Sequence, residues 1–133
     1  MLERERVAGS DERALPVRLY YEGGQERRPR GSVSEGICFI FSTHTTAAVT
    51  INEDYDRDVP KDLAAACRAF LERLDVRFDH MEGNSDSHFL TSFFGQSQTL
   101  LVRGGEPDLG RWQGVFLAEF DGPRQRTVRL AVV

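Results

Sequence analysis

The chain holds three histidines, His44, His80 and His88, and each sits in a polar segment beside a hydroxyl or carboxylate neighbour. Thr43 and Thr45 flank His44, Asp79 precedes His80, and Ser87 precedes His88. Metal centres use such surroundings: a ligating imidazole offers one ring nitrogen to the ion while an acceptor behind it holds the other N–H. The same placement suits histidines that are merely solvated in loops. Spacing leaves both readings open, because three separated histidines match no compact signature such as His-Glu-x-x-His.

Carboxylates come next. Glu53, Asp54, Asp56, Asp58 and Asp62 follow one another closely and offer a carboxylate ligand or a general base. Asp58 and Asp62 are better explained by a helix N-terminus, where the dipole stabilises negative charge. Glu53 follows an apolar run and lies near His44 in sequence, so it is the carboxylate expected at the site. The stretch from Asp79 to Asn84 lacks the residue order of a calcium loop. Arg124 and Arg126 flank a turn and present paired N–H donors suited to a phosphate or carboxylate, although exposed turn arginines are common. No Gly-x-Gly-x-x-Gly and no Gly-x-x-x-x-Gly-Lys is present, so dinucleotide and P-loop chemistry are unsupported. Cys38 and Cys67 stand in apolar and alanine-rich runs and read as small core hydrophobes rather than nucleophiles. Ser87 and His88 are too close in sequence to imply a triad.

These residues need elements to position them. Val17, Leu19 and Tyr21 alternate with polar or amphipathic neighbours as in a half-buried strand, after about ten charged, small N-terminal residues that read as a frayed arm. Glu22 to Gly36, with four glycines and a proline, reads as a connecting loop. Ile37–Ser42 and Ala47–Ile51 are β-prone apolar runs, and the hydroxyl-rich segment bearing His44 joins them. Asp58-Val59-Pro60 supplies a helix start, and Leu63, Cys67, Phe70, Leu71 and Leu74 follow at helical spacing, which predicts a helix over roughly Pro60 to Leu74. Asp79 to His88, with one apolar residue, reads as a loop carrying two histidines. Strands are expected at Thr99–Arg103, Gly114–Phe120 and Arg126–Val133, the last two joined through Asp121-Gly122-Pro123 as an antiparallel hairpin.

Composition bounds the whole. One domain of 133 residues is long enough to bury a core without staples. The 17 basic and 21 acidic residues give a net charge of -4, which argues against a nucleic-acid partner. All the basic residues except Lys61 are arginine, a bias that carries no functional weight by itself. No run approaches the ~20 apolar residues of a membrane span, the N-terminus lacks an export-type apolar stretch, and two cysteines suit a reducing compartment; a cytoplasmic protein is expected.

Taken in order, several segments resemble one family. They are Phe41-Ser42-Thr43-His44-Thr45-Thr46-Ala47-Ala48-Val49, then Ile51-Asn52-Glu53, Asp62-Leu63, His80, Asn84 and Ser87-His88-Phe89-Leu90. Gly95-Gln96-Ser97, Leu109-Gly110-Arg111-Trp112-Gln113 and the run from Glu119 to Arg126 continue the series. Over about the last hundred residues it is similar to the YjbQ-like family, described as secondary thiamine-phosphate synthases. Arg111 and Asp86 depart from the family pattern, where small residues are usual, and residues 1–32 read as a divergent or partly disordered N-terminal part of the single domain.

The resemblance implies an α+β fold, a β-sandwich-like mixed sheet with one main helix, usually assembled as a homotrimer. It also implies a shared pocket to which His44, His80 and His88 map as metal ligands, with zinc the leading divalent ion. Glu53, Asn84, Gln113 and Arg124 map as supporting residues, Asn84 and Gln113 on the cofactor side. The implied reaction joins a hydroxymethylpyrimidine diphosphate to a thiazole phosphate and releases pyrophosphate. Glu53 would then accept a proton or orient water, and Arg124 and Arg126 would steady phosphate oxygens. Two alternatives stand beside it: a metal-dependent hydrolase of a phosphorylated metabolite, and a non-catalytic metal- or metabolite-binding trimer.

Overall fold

A computed structural model describes residues 33–133 in full, together with the backbone of two earlier strands, Leu2–Ala8 and Pro16–Arg18. Among the described residues the elements run β1 (Leu2–Ala8), β2 (Pro16–Arg18), β3 (Glu35–Ser42), β4 (Ala47–Glu53), α1 (Asp58–Glu72), α2 (Ser85–Phe94), β5 (Ser97–Arg103), β6 (Glu106–Pro107), β7 (Gln113–Glu119) and β8 (Gln125–Val132). They form an α+β domain of two sheets. The larger has the order β1-β8-β3-β5-β6 and the smaller β2-β7-β4.

Strand alternation explains why the sheets stack. On β3, Cys38, Ile40 and Ser42 are buried while Ile37 and Phe39 face out. On β5, Leu100 and Val102 are buried while Leu101 faces out. With Val49 of β4, Leu117 of β7 and Val128 of β8 these inward residues form the core between the sheets. Leu117, Val49 and Val128 are almost completely buried, and each such side chain contributes about 1.5–3 kcal/mol of transfer free energy, an upper estimate. Along β7, Phe116 and Ala118 point the other way, toward the layer holding both helices, and α2 packs on β4.

Several expectations are corrected. Every observed strand pairing is antiparallel, so the sheets are not mixed. The N-terminal residues from Leu2 to Ala8 are not an arm: their backbone pairs with β8 as an edge strand. Of the strand expected through Tyr21, Pro16–Arg18 is present on β7, and residues 19–21, like most of the loop expected at 22–36, lie outside the described residues. The helix expected at Pro60–Leu74 is α1, shifted by two residues, with Asp58 inside the first turn.

Two differences reshape the site. His88 is on a second helix rather than in a loop, because the polar run ends in Phe89, Leu90, Phe93 and Phe94, paired four residues apart on one side. The last two strands do not form a hairpin. β7 pairs with β4 and β2, whereas β8 pairs with β3 and β1, so the segment after Glu119 carries the chain from one sheet to the other.

Candidate functional site

Three chain segments meet where β7 crosses to β8. The first is the loop from Thr43 to Thr46. Buried Ser42 shapes it by donating to the carbonyl of Ala47 at 2.8 Å and accepting from the N–H of His44 at 3.4 Å. The N–H of Phe120 donates to the carbonyl of Thr46, which ties the loop to the crossover. The second segment runs from His80 through the start of α2. It is anchored where the buried hydroxyl of Ser87 donates to the carbonyl of Phe120 at 2.7 Å. The third is the crossover itself.

A chain of polar contacts connects these segments. Arg124 donates through Nε to the carbonyl of Asp121 at 2.8 Å, and its Nη2 lies 3.1 Å from Asp121 Oδ2. The same carboxylate oxygen accepts from Asn84 Nδ2 at 3.0 Å. With its amide so oriented, Asn84 presents Oδ1 to His80 Nδ1 at 2.9 Å, and that ring nitrogen must carry the proton. His80 is therefore held as the tautomer whose lone pair is on Nε2. Its ring stands edge-on to that of His88, with centroids 5.5 Å apart and planes at 89°. His88 in turn lines a cavity of about 240 Å³ with Thr45, Thr91, Ser92, Gly95 and Gln96.

Beneath this chain lies a buried ion pair. Glu119 and Arg126 are each about 5% exposed; Arg126 donates to both carboxylate oxygens of Glu119 and, at 3.0 Å, to Thr46 Oγ1. Glu119 Oε1 also accepts from the N–H of Asp121 at 2.8 Å. Arg126 is thus no exposed turn arginine, since its fork is spent on holding the two sheets and the crossover together. Arg124 is the exposed one.

His44 plays a different part. Its Nε2 accepts from the N–H of Thr127 at 2.7 Å, which puts its proton on Nδ1. Burial depresses its pKa first, and the nearby Arg126 cation depresses it further against a smaller opposing effect of Glu119. A neutral imidazole bonded in this way closes the start of β8 onto the loop.

Glu53 and Gln113 stand elsewhere. They face each other in the β4–β7 register at the end opposite the Ala47–Glu119 pair. Six strand steps separate the two ends, roughly 20 Å along the sheet. Gln113 Oε1 accepts from the N–H of Gly110, and the N–H of Glu53 donates to Asn52 Oδ1. Within one chain, then, His80, His88, Asn84 and Arg124 come together, Glu53 and Gln113 do not join them, and Asp121, Glu119 and Thr46 enter as residues that sequence reasoning missed. The signal was weak: Asp121 read as a turn former and Glu119 as the end of a strand.

A divalent ion can be tested against these residues. Two imidazoles on one tetrahedral ion place their ring centroids about 5 Å apart, given Zn–N distances near 2.0–2.1 Å, and the 5.5 Å between His80 and His88 is of that order. His44 adds no lone pair to it in this arrangement. Among the described residues no three His, Cys, Asp or Glu side chains are grouped to hold one ion. The chain supplies two imidazoles and a fixed orientation for one of them.

Residues 26–133 match the family model described as UPF0047 protein YjbQ-like. The chain belongs to this family. It is 44% identical over 101 residues to UPF0047 protein MJ1081 of Methanocaldococcus jannaschii, covering 76% of this chain and 72% of that protein. UPF0047 protein YugU of Bacillus subtilis is 42% identical over 102 residues, covering 71% and 72%. Among solved structures, a YjbQ/UPF0047 protein from Clostridium acetobutylicum superposes with a TM-score of 0.86 at 30% identity, over 98% of this chain and 99% of that one. A conserved protein of Thermus thermophilus superposes at 0.84 with 33% identity, over 98% and 99%. The matched span of this YjbQ-like chain takes in all three histidines and the whole crossover, while β1 and β2 precede it.

Proposed function

We propose that this YjbQ-like chain is a divalent-metal-dependent enzyme acting on a small phosphorylated substrate, with thiamine-phosphate synthase type transfer as its reaction and zinc as its ion. The observation that carries the reading is the line Arg124–Asp121–Asn84–His80, which fixes one imidazole opposite a second that lines a cavity. His80 Nε2 and a nitrogen of His88 would hold the ion, and a bound divalent cation would neutralise charge on a departing diphosphate. Asp121 holds Asn84, Asn84 orients His80, and the outer guanidinium of Arg124 is left exposed where a phosphate oxygen can meet it. Thr45, exposed at the cavity, offers a hydroxyl to the substrate, whereas that of Ser92 donates to the carbonyl of His88 at 3.0 Å.

A cavity of about 240 Å³ is below the ~300–1,000 Å³ typical of sites that enclose a drug-sized ligand. That favours, as a second reading, hydrolysis of one phosphorylated metabolite over the joining of two. Assembly as a homotrimer belongs to the same proposal and is supported by apolar residues on the outer face of the large sheet, Ile37, Phe39 and Leu101, each more than two-fifths exposed.

Elemental analysis of the purified protein beside folded His80→Ala and His88→Ala variants tests the reading. The expected result is one divalent ion bound per chain or per shared site, lost in both variants, followed by metal-dependent product from the two thiamine precursors. Metal-free protein after zinc soaking would sink it, and phosphate release without coupling would select the hydrolase.

A further inference from the structure

A second cavity lies away from the histidines, between the helices and the small sheet. It measures about 130 Å³ and is bounded by Leu63, Cys67 and Leu71 of α1, by Leu90 and Phe94 of α2, and by Phe116 of β7. Leu63, Cys67 and Leu71 recur every four residues and form the apolar stripe of α1, yet only Ala64 of that helix is fully buried. The space exists because two small residues, Ala64 on the helix and Ala118 on the strand, stand where larger side chains would fill it.

Of the polar side chains on its wall, Asn52 and Arg68 are exposed to solvent, and the two most deeply buried have partners. Glu119 is held by Arg126, and the Ser87 hydroxyl donates to the carbonyl of Phe120. Burial raises the pKa of the Cys67 thiol, against a smaller opposing effect of Arg68, so this wall carries a neutral thiol. A water needs two to four polar partners to be held, and the apolar walls offer few. Cavities of about 150 Å³ lined by aliphatic and aromatic side chains stay dry and accept a benzene-sized guest.

We propose that this cavity is a binding site for an uncharged single-ring aromatic molecule or ring substituent, held between α1 and the small sheet. The site is independent of the histidine reading and stands or falls without it. Its occupant is an apolar ring because the volume suits one ring, the walls are mostly apolar, and Arg68, a charged residue of the lining, is itself exposed to solvent.

The test uses benzene, toluene and indole with the full chain. At ten times its dissociation constant a guest should raise the melting temperature by roughly 4–7 °C. Carbon-resolved methyl spectra of the wild type should show shifts at Leu63, Leu71 and Leu90, with Ile37 and Leu101 on the outer sheet face unmoved. Ala64→Leu, or Ala118→Leu from the opposite wall, should fill the space and abolish the thermal shift while keeping the native spectrum. No methyl shift with any of the three guests, or an equal thermal shift in a folded filled variant, overturns the proposal. The wild-type spectra decide the matter even where neither filled variant folds.

Discussion

At the scale of the residue, hydrogen-bond direction separates histidines that the sequence presents as equivalent. His44 is an acceptor: Thr127 N–H points at its Nε2, so protonating that nitrogen would set two donors face to face beside the Arg126 cation. Its pKa in the folded chain is accordingly below the ordinary value of 6.5. The unfolded chain then binds this proton more readily than the folded one. Stability from this group is full above about pH 6.5 and falls as the pH drops below it toward the folded-state pKa. Urea unfolding midpoints at about pH 5 and about pH 8 should differ more for the wild type than for His44→Gln, whose amide oxygen can still accept from Thr127 but does not titrate. Equal differences would remove His44 from the account. His80, in contrast, is a donor through Nδ1 and owes its orientation to Asn84. Asn84→Ala should lower metal affinity about 10–100-fold, as loss of an outer partner of a ligating imidazole does, with the far-ultraviolet spectrum unchanged. A competition titration with a zinc chelator reads this directly, and an unaltered affinity would leave Asn84 a mere loop contact.

At the scale of the element, the crossover from β7 to β8 joins the two sheets through the Glu119–Arg126 pair. Removing one partner of such a buried pair leaves a charge without compensation, so Arg126→Ala should cost about 3–5 kcal/mol in urea unfolding. Replacing both, as Glu119→Leu with Arg126→Met, should recover most of that loss, since the penalty comes from the orphaned carboxylate more than from the lost attraction. A double variant as unstable as the single one would show that the contact to Thr46 or the bond to Asp121 N–H matters more. Strands β3, β4, β5, β7 and β8 and helix α1 were legible from apolar runs, alternation and helical spacing, because burial leaves such patterns in the sequence, whereas charged β1 read as an arm and two-residue β6 left no pattern. The crossover was not: Asp121-Gly122-Pro123 marks a turn, but whether the strands on either side pair is decided by β3 and β4, far away in the chain. Helix α2 was hidden for a related reason, its first four residues being polar where they carry the site. Of the expected site, His80, His88, Asn84 and Arg124 converge; Glu53 was placed near His44 by sequence distance, which a strand of seven residues converts into separation, and Gln113, placed by the resemblance alone, lies beside Glu53 at that far end.

At the scale of the whole molecule, the outer face of the large sheet is unusual for a surface. Ile37 and Leu101 stand opposite each other across β3 and β5, and Phe39 faces Thr99 on one side and Ala131 on the other, with Phe41 stacked beside it at 6.3 Å between ring centroids. Phe39 and Leu101 are 42% and 55% exposed, while their chain neighbours Cys38, Ile40, Leu100 and Val102 point into the core. A sheet face with apolar residues on both sides reads as covered on both sides, and contiguous apolar area of this kind marks an interaction surface. The proposed homotrimer supplies that cover with copies of the same chain. Phe39→Asp places a charge at the middle of the face without touching the core, so the variant should keep its fold and its monomer should predominate by light scattering, where the wild type gives about three times the mass of one chain. A wild type of single-chain mass at micromolar concentration would overturn the trimer, and an assembled Phe39→Asp variant would move the interface to another face. If the trimer also brings the far ends of β4 and β7 from one copy toward the histidines of the next, the same variant should lose metal-dependent activity together with assembly while zinc titration still reports the His80–His88 pair of the isolated chain.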